Sequence, residues 1–305
     1  MPLEGYSTLR SGGNADFAYI AYTAEDFAMV TLESQGKKQE FVILGSGSNV
    51  LISDKGIRGL TIINRSRNIK LLEGSVLEVD CGCWLQDVFL FAARRSLTGL
   101  EFAVGIPGTV GGALVSNAGA YRQSIGNLVQ ELEVISNGQR KWVEPSWMGF
   151  EYRDSRLRQN PNCGDSMLRA RIMLKPGNQK VIYDEARSIQ RQRISKQPPG
   201  ASAGSFFKNV LNKELAKNLQ FLPDHFKESG IIPAGYLIEA VGLRGFRTGR
   251  VGFSNLHANI IVNYGESSSM AIKDLAQLAK VKVLEAFGVD LEEEVLYIGD
   301  WNSSN

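Results

Sequence analysis

A chain of 305 residues is long enough to bury a large core and to divide into two or three compact units. Its 34 basic and 32 acidic residues are dispersed and nearly cancel, leaving a formal charge of +2, which argues against nucleic acid as the main partner. Three cysteines, Cys81, Cys83 and Cys163, fit a reducing compartment and cannot all pair within one chain, and with only two histidines no metal site is expected.

The opening stretch MPLEGYSTLRSGG has no apolar core flanked by basic side chains, and no run of about eighteen apolar residues follows anywhere, so a cytoplasmic protein without a membrane partner is expected. A strand is predicted over Ala18 to Ala21. Thr23 then caps a helix, with Asp26 three residues on, that ends near Gly36. EFVILG reads as a buried strand opening onto the loop GSGSN at 45–49; VLIS, a turn at Asp54-Lys55-Gly56 and the strand GLTII come next. The loop therefore joins strand to strand. A Walker loop would need Gly-Lys-Ser/Thr leading into a helix, and a dinucleotide fingerprint would need a helix N-terminus, so neither applies. Gly45 and Gly47 still let bare backbone approach an anion, although the segment alone reads as a tight connection between strands.

SVLEVDCGCWL continues as a strand in which Cys81 and Cys83 are ordinary strand residues. WLQDVFLFAARRSLTGL reads as a helix with an apolar face of Leu85, Val88, Phe89, Phe91 and Ala92. It delivers the chain into EFAVGIPGTVGGALVSNAGAY, residues 101–121, which holds five glycines and almost no charge. Surface loops are normally polar, so this run packs either against neighbouring elements or against something large and flat. A dinucleotide, met by backbone amides and by Thr109, Ser116 and Asn117, is the better explanation. Further on, a charged helix over 181–195 leads to Pro198-Pro199, which suits a domain boundary. A last helix carries Ile272, Leu275, Ala276, Ala279, Val283 and Phe287 at helical spacing and stops at Gly288.

The two glycine stretches, LGSGSNVLIS and GIPGTVGGALVSNAGAY, are followed in order by YRDS (152–155), SAGSFFKN (202–209), PAGYLIEAVGLRG (233–245), HANIIVN (257–263) and LEEEVLYIG (291–299). Together these segments resemble the UDP-N-acetylenolpyruvoylglucosamine reductase (MurB) family from about Thr8 to Gly299, in its shorter form. The resemblance implies an α+β protein with an FAD-binding fold of the vanillyl-alcohol-oxidase type in two α+β subdomains, residues 1–65 and 66–195, and a C-terminal α+β substrate-binding domain, residues 196–305. It implies FAD, held non-covalently because both histidines lie outside the glycine loops, and NADPH as the hydride donor. The reaction implied is reduction of UDP-N-acetylglucosamine enolpyruvate to UDP-N-acetylmuramate for peptidoglycan synthesis, by a chain expected to be a monomer.

Residue by residue, the resemblance assigns the flavin to Gly45, Ser46, Gly47, Ser48 and Asn49 in the first loop and to Gly105, Ile106, Pro107, Thr109, Gly112, Ser116 and Gly119 in the second. Arg153 and Glu294 fall at the substrate carboxylate, and Ser205 is the proton donor. Tyr121, Lys196, Asn209 and His257 match positions that contact the UDP-sugar, with Lys196 suited to its diphosphate. By themselves these residues read more blandly. Arg153 sits in a charged surface run, Ser205 precedes two aromatics as a turn or cap residue would, Glu294 ends a run of three glutamates that defaults to a solvated face, and Lys208 reads as a solvated charge. Where the family carries proline and arginine beside the glutamate, this chain has Glu293 and Leu296. A flavin oxidase of the same fold would explain both glycine loops but not SAGSFFKN with Glu294, and a non-catalytic nucleotide-binding module would explain the loops alone.

Overall fold

A computed structural model describes residues 1–301. The chain divides into two compact units, each assembled from separate stretches. The first comprises Met1, residues 15–47 and residues 57–195; the second comprises residues 2–14, 48–56 and 196 onward. Sequence boundaries near 65 and 195 are linear, whereas these units are discontinuous: the GSGSN loop passes from one to the other between Gly47 and Ser48.

In the first unit, Ala15–Ala21, Ile57–Asn64 and Phe41–Leu44 form a three-stranded parallel sheet with Ile57–Asn64 in the centre. The central strand buries Ile62 and Ile63 completely, as β-branched residues between two neighbours should. The helix Ala24–Gly36 starts where expected, with the Thr23 hydroxyl accepting from Asp26 N at 3.0 Å, and packs Phe27 and Ala28 with Ile62, Ile135 and Leu168. A second sheet is antiparallel and five-stranded, in the order Gln139–Val143, Val129–Ser136, Ser166–Met173, Val76–Asp80, Ile69–Leu71. The helices Leu85–Ala93 and Gln179–Ile194 share its main core, which contains Leu77, Val79, Phe89, Phe102 and Leu132.

Cys81 and Cys83 lie in the turn just beyond Val76–Asp80 rather than in the strand. Gly82 explains why the strand stops: a Cβ there would meet Ser66 N at 2.6 Å, so the chain must turn as it crosses that backbone. Both thiols are buried. Desolvation, reinforced by Asp80, pushes Cys83 up to about 12 and Cys81 well above the ordinary thiol range, which keeps them protonated and unreactive.

The second unit is built on a four-stranded antiparallel sheet in the order Ala201–Ser205, Ile260–Asn263, Val251–Phe253, Arg247–Thr248. The helix Ser269–Phe287 turns Ile272, Leu275, Ala276, Ala279 and Val283 inward and ends at Gly288 in the left-handed conformation, φ 67°, as its spacing predicts. Phe206, Phe207 and Phe253 are fully buried in the core of this unit; complete burial of such a ring is worth roughly 2–3 kcal/mol. The short strands Val50–Ile52 and Leu296–Ile298 pair in parallel, so the residues after the GSGSN loop lie beside those after Glu294.

Candidate active site

The two glycine stretches meet inside the first unit. A Cβ on Gly45 would lie 2.3 Å from the Thr109 hydroxyl oxygen, so only glycine allows this approach, and the Arg65 guanidinium donates to Gly45 O at 2.9 Å from behind. Gly47 takes a left-handed φ of 65° that a side chain would strain. The 101–121 run is not loop throughout. Thr109 caps a short helix, Val110–Val115, by accepting from Gly112 N at 3.3 Å, and the Ser116 hydroxyl donates to Gly112 O at 3.1 Å. Two side chains assigned to a ligand by type thus serve their own backbone.

Asn117, buried and at φ 41°, ties this run to the next one: its amide donates to Glu151 O at 2.6 Å and accepts from Gly126 N at 3.1 Å. Ser155 donates to Val115 O at 2.6 Å and caps the following turn by accepting from Arg158 N. Between these anchors Arg153 sits half-buried at φ 54°, its Nη2 donating to Gly119 O at 2.5 Å. The charged run around it suggested a surface arginine; the anchors on either side are what turn it inward. Tyr121, also left-handed at φ 53°, remains half exposed and donates to the Gln192 side chain at 3.1 Å. Gln192 and the adjacent Arg193 were missed by sequence reading, because a charged amphipathic helix gives no sign of which end faces a glycine loop.

The second unit holds Ser205, Glu294 and Asn49. Ser205 ends its strand opposite Ile260, and the next residue, Phe206, accepts on its carbonyl from Glu294 N at 2.8 Å. With Lys208 N donating to Glu292 O at 2.8 Å, backbone hydrogen bonds therefore set Ser205 and Glu294 on adjoining segments. Asn259, 2 % exposed, locks the same strand, accepting from Phe207 N at 2.9 Å and donating to Phe207 O at 2.8 Å. On the other side, Asn49 donates to Glu294 O at 3.1 Å and accepts from Leu296 N at 3.0 Å.

The three successive glutamates separate by partner. Glu292 pairs with Lys208 at 2.5 Å and Glu293 with Lys280 at 3.0 Å, while Glu294 is half-buried against Phe206 and Asn49. Lys208 is therefore not the solvated charge its sequence context suggested: it is 7 % exposed, and its ammonium is accommodated by the Glu292 carboxylate. Glu293, in the place of a family proline, forms a bridge with Phe207 and the ion pair with Lys280. Leu296 occupies the parallel pairing opposite Val50.

Of the remaining positions, Asn209 accepts from Ala234 N at 3.3 Å, at the start of the helix Ala234–Ala240. Lys196 is exposed. The His257 Nδ1 accepts from Asn259 N at 3.2 Å, which leaves Nε2 to carry the proton of the neutral ring. Burial, then the charges of Lys196 and Arg244, holds the His257 pKa below its ordinary value.

Two family models match the chain: an FAD binding domain over residues 16–143 and the UDP-N-acetylenolpyruvoylglucosamine reductase C-terminal domain over residues 194–298. The UDP-N-acetylenolpyruvoylglucosamine reductase of Caldicellulosiruptor bescii is 33 % identical over 310 residues, covering 99 % of this chain and 90 % of its own. The chain belongs to the UDP-N-acetylenolpyruvoylglucosamine reductase family. The Streptococcus pneumoniae enzyme of that name is also 33 % identical, over 98 % of this chain and 93 % of its own length. Among solved structures, the reductase from Thermus caldophilus superposes with a TM-score of 0.77 at 30 % identity over 97 % of each chain. The chain is thus an α+β flavoprotein that uses FAD and NADPH to reduce UDP-N-acetylglucosamine enolpyruvate in peptidoglycan precursor synthesis. No helix among the described residues is long and apolar enough to cross a membrane.

Proposed function

We propose that Arg153, Ser205 and Glu294 carry the chemistry of this reductase, with the flavin at the two glycine stretches and the UDP-sugar met by Tyr121, Lys196, Asn209 and His257. The residues present fit an FAD: the Gly45–Thr109 approach holds two side-chain-poor stretches together, and Gly47 takes the left-handed conformation found in backbone nests that receive anions. Gly45 through Asn49 would hold the pyrophosphate, and Gly105, Ile106, Pro107, Thr109, Gly112, Ser116 and Gly119 the remainder. These stretches would hold the FAD, which would supply the hydride carrier between NADPH and the β-carbon of the enolpyruvyl ether.

The protein's own part is to manage the charge and the proton. Addition of hydride at the β-carbon moves electron density onto the α-carbon and its carboxylate. Arg153, permanently charged and able to grip a carboxylate with two hydrogen bonds, stabilises that density, and Glu294 in its protonated form donates a hydrogen bond to it. Ser205 then gives its hydroxyl proton to the α-carbon and is reprotonated from solvent. A serine hydroxyl is a poor acid at neutral pH, so this transfer requires an acceptor as basic as a carbanion or enolate. The observation that supports the assignment is the Phe206–Glu294 hydrogen bond, which joins the segment that carries the serine to the segment that carries the glutamate. Neutral His257, with Nε2–H to donate, suits a polar group of the UDP-sugar.

Proton donation belongs only to reoxidation of the flavin by substrate. Ser205→Ala removes a hydroxyl and little volume, so NADPH should bleach the flavin at a near-normal rate in stopped flow while reoxidation by the enolpyruvyl substrate slows by about 10² to 10⁴. Equal slowing of both halves would mean a disturbed pocket, and normal reoxidation would remove Ser205 from the mechanism. Non-covalent attachment is supported by Cys81 and Cys83 being buried and protonated, by the exposed Cys163 lying outside both glycine stretches, and by both histidines lying in the second unit. Acid precipitation should leave all yellow colour in the supernatant; flavin in the pellet would contradict it. A monomer in the cytoplasm is the proposed setting.

A further inference from the structure

Lys37, Lys217 and Lys227 each pair with an acid one helical turn away, and each of those acids is more than half exposed, so the pairs contribute little. Lys280 differs. From the helix Ser269–Phe287 it reaches across to the segment that follows, meeting Glu293 Oε2 at 3.0 Å and Asp290 Oδ1 at 3.6 Å, and both Lys280 and Glu293 are only 22 % exposed. Seven residues earlier, and so on the same face of the helix, the Lys273 ammonium lies 4.9 Å from the centre of the Trp301 ring. Trp301 meets Tyr297 edge-on, and Tyr297 neighbours Phe206. The last helix therefore grips the closing segment at two points, one on either side of Glu294 in the chain.

Glu294 lies in a bend, between the bridge at Glu293 and the strand Leu296–Ile298. A bend has no repeating ladder to set its torsions, and the rotamers open to a side chain depend on those torsions, so the way the preceding residue is held matters. The two bonds of the Phe207–Glu293 bridge are donated by Lys208 N to Glu292 O and by Glu294 N to Phe206 O, each at 2.8 Å. Neither uses Glu293 N, so a proline at 293 would cost the bridge no donor. This chain has a carboxylate there instead, tied to Lys280. We infer that Lys280 is a positioning residue of the reductase: its hold on Glu293 fixes the backbone leading into the bend, and with it the direction of Glu294, in place of the ring that the family's proline supplies. The inference rests on Glu294 serving the reaction, as proposed above.

The test is a set of variants read in stopped flow at saturating enolpyruvyl substrate, with flavin bleaching by NADPH as the internal control. Lys280→Met and Glu293→Gln should each slow reoxidation by about two- to fivefold, the range a partly exposed ion pair can enforce, with bleaching and flavin content unchanged. The double variant should be no slower than either single one, because the same contact is lost only once. Glu293→Pro should keep the native rate, and adding Lys280→Met to it should change nothing further. A lysine that serves stability alone would lower Tm and leave reoxidation as it was; that outcome, or equal slowing of both half-reactions, overturns the inference. So does Lys280→Met slowing reoxidation as much beside Glu293→Pro as in the native chain, since the lysine would then act on something other than Glu293. Should Glu293→Pro fail to fold, the reversed pair Lys280→Glu with Glu293→Lys decides: recovery of the rate that Lys280→Glu alone loses supports the clamp, and no recovery overturns it. Glu294→Gln measured in parallel separates the two levels. If it leaves reoxidation unchanged, the placement of Glu294 fails and the clamp has nothing to position, whereas a slow Glu294→Gln beside an unaffected Lys280→Met overturns the clamp alone.

Discussion

The glycine-rich part of the first unit and the Ser205–Glu294 part of the second are built on opposite plans. The first is a site of missing side chains. Gly45 and Gly105 are glycines because Thr109 and Arg193 already occupy the space a Cβ would need, and the polar side chains nearby, Thr109, Ser116 and Asn117, are largely spent holding the backbone in shape. The second is a site of placed side chains. Ser205 ends a strand and Glu294 lies in the bend just before Leu296–Ile298, their segments pinned by Asn259 and Asn49, so paired backbone sets the reacting groups. Damage to the first should therefore be steric and should cost the cofactor, whereas damage to the second should leave the cofactor and cost alignment.

The sharpest way to break this contrast is Gly45→Val. Its added carbons would collide with Thr109, and the protein should purify with little or no flavin while its far-UV circular dichroism stays close to normal. A fully yellow mutant would move the pyrophosphate elsewhere and remove the steric half of the comparison.

Asn259→Ala tests the other half. It strips two hydrogen bonds from the buried backbone of Phe207, at about 1–3 kcal/mol for each group left unsatisfied. Tm should drop by several degrees and reoxidation by substrate should slow, with flavin content retained. Loss of flavin in step with Tm would show that the two regions do not fail independently.

The smallest effect is a pH dependence at His257. Its folded pKa lies below the ordinary 6.5, so the unfolded chain takes up the proton first. The neutral imidazole thus contributes stability that is fully present above pH 6.5 and is lost as pH falls from there toward the folded value. His257→Gln should flatten that part of the Tm–pH curve without changing flavin content. An unaltered curve would mean that the ring titrates normally.

Much of the fold is legible in local pattern. The Thr23 cap, the Gly36 and Gly288 stops, the strand–loop–strand passage through GSGSN and the apolar face of Ser269–Phe287 all follow from spacing and capping chemistry over a few residues. The misreadings share a cause. Cys81 and Cys83 fit a strand by alternation, but Gly82 must turn against Ser66; Lys208 looks solvated until Glu292 is brought to it from far along the chain. Each was decided by a contact distant in sequence.

The same division applies to the candidate site. The sequence by itself determined the family, because seven collinear segments from one end of the chain to the other carry far more information than any one glycine motif. It also determined which residue types were present for a flavin and a carboxylate. Only the tertiary structure decided which glutamate of three lies against Phe206, that Gly45 is a glycine on account of Thr109, and that the end of a charged helix brings Arg193 against Gly105. The physical reason is that periodicity reports which face of an element is buried, while the partner on that face is set by packing between segments whose separation along the chain no local pattern encodes.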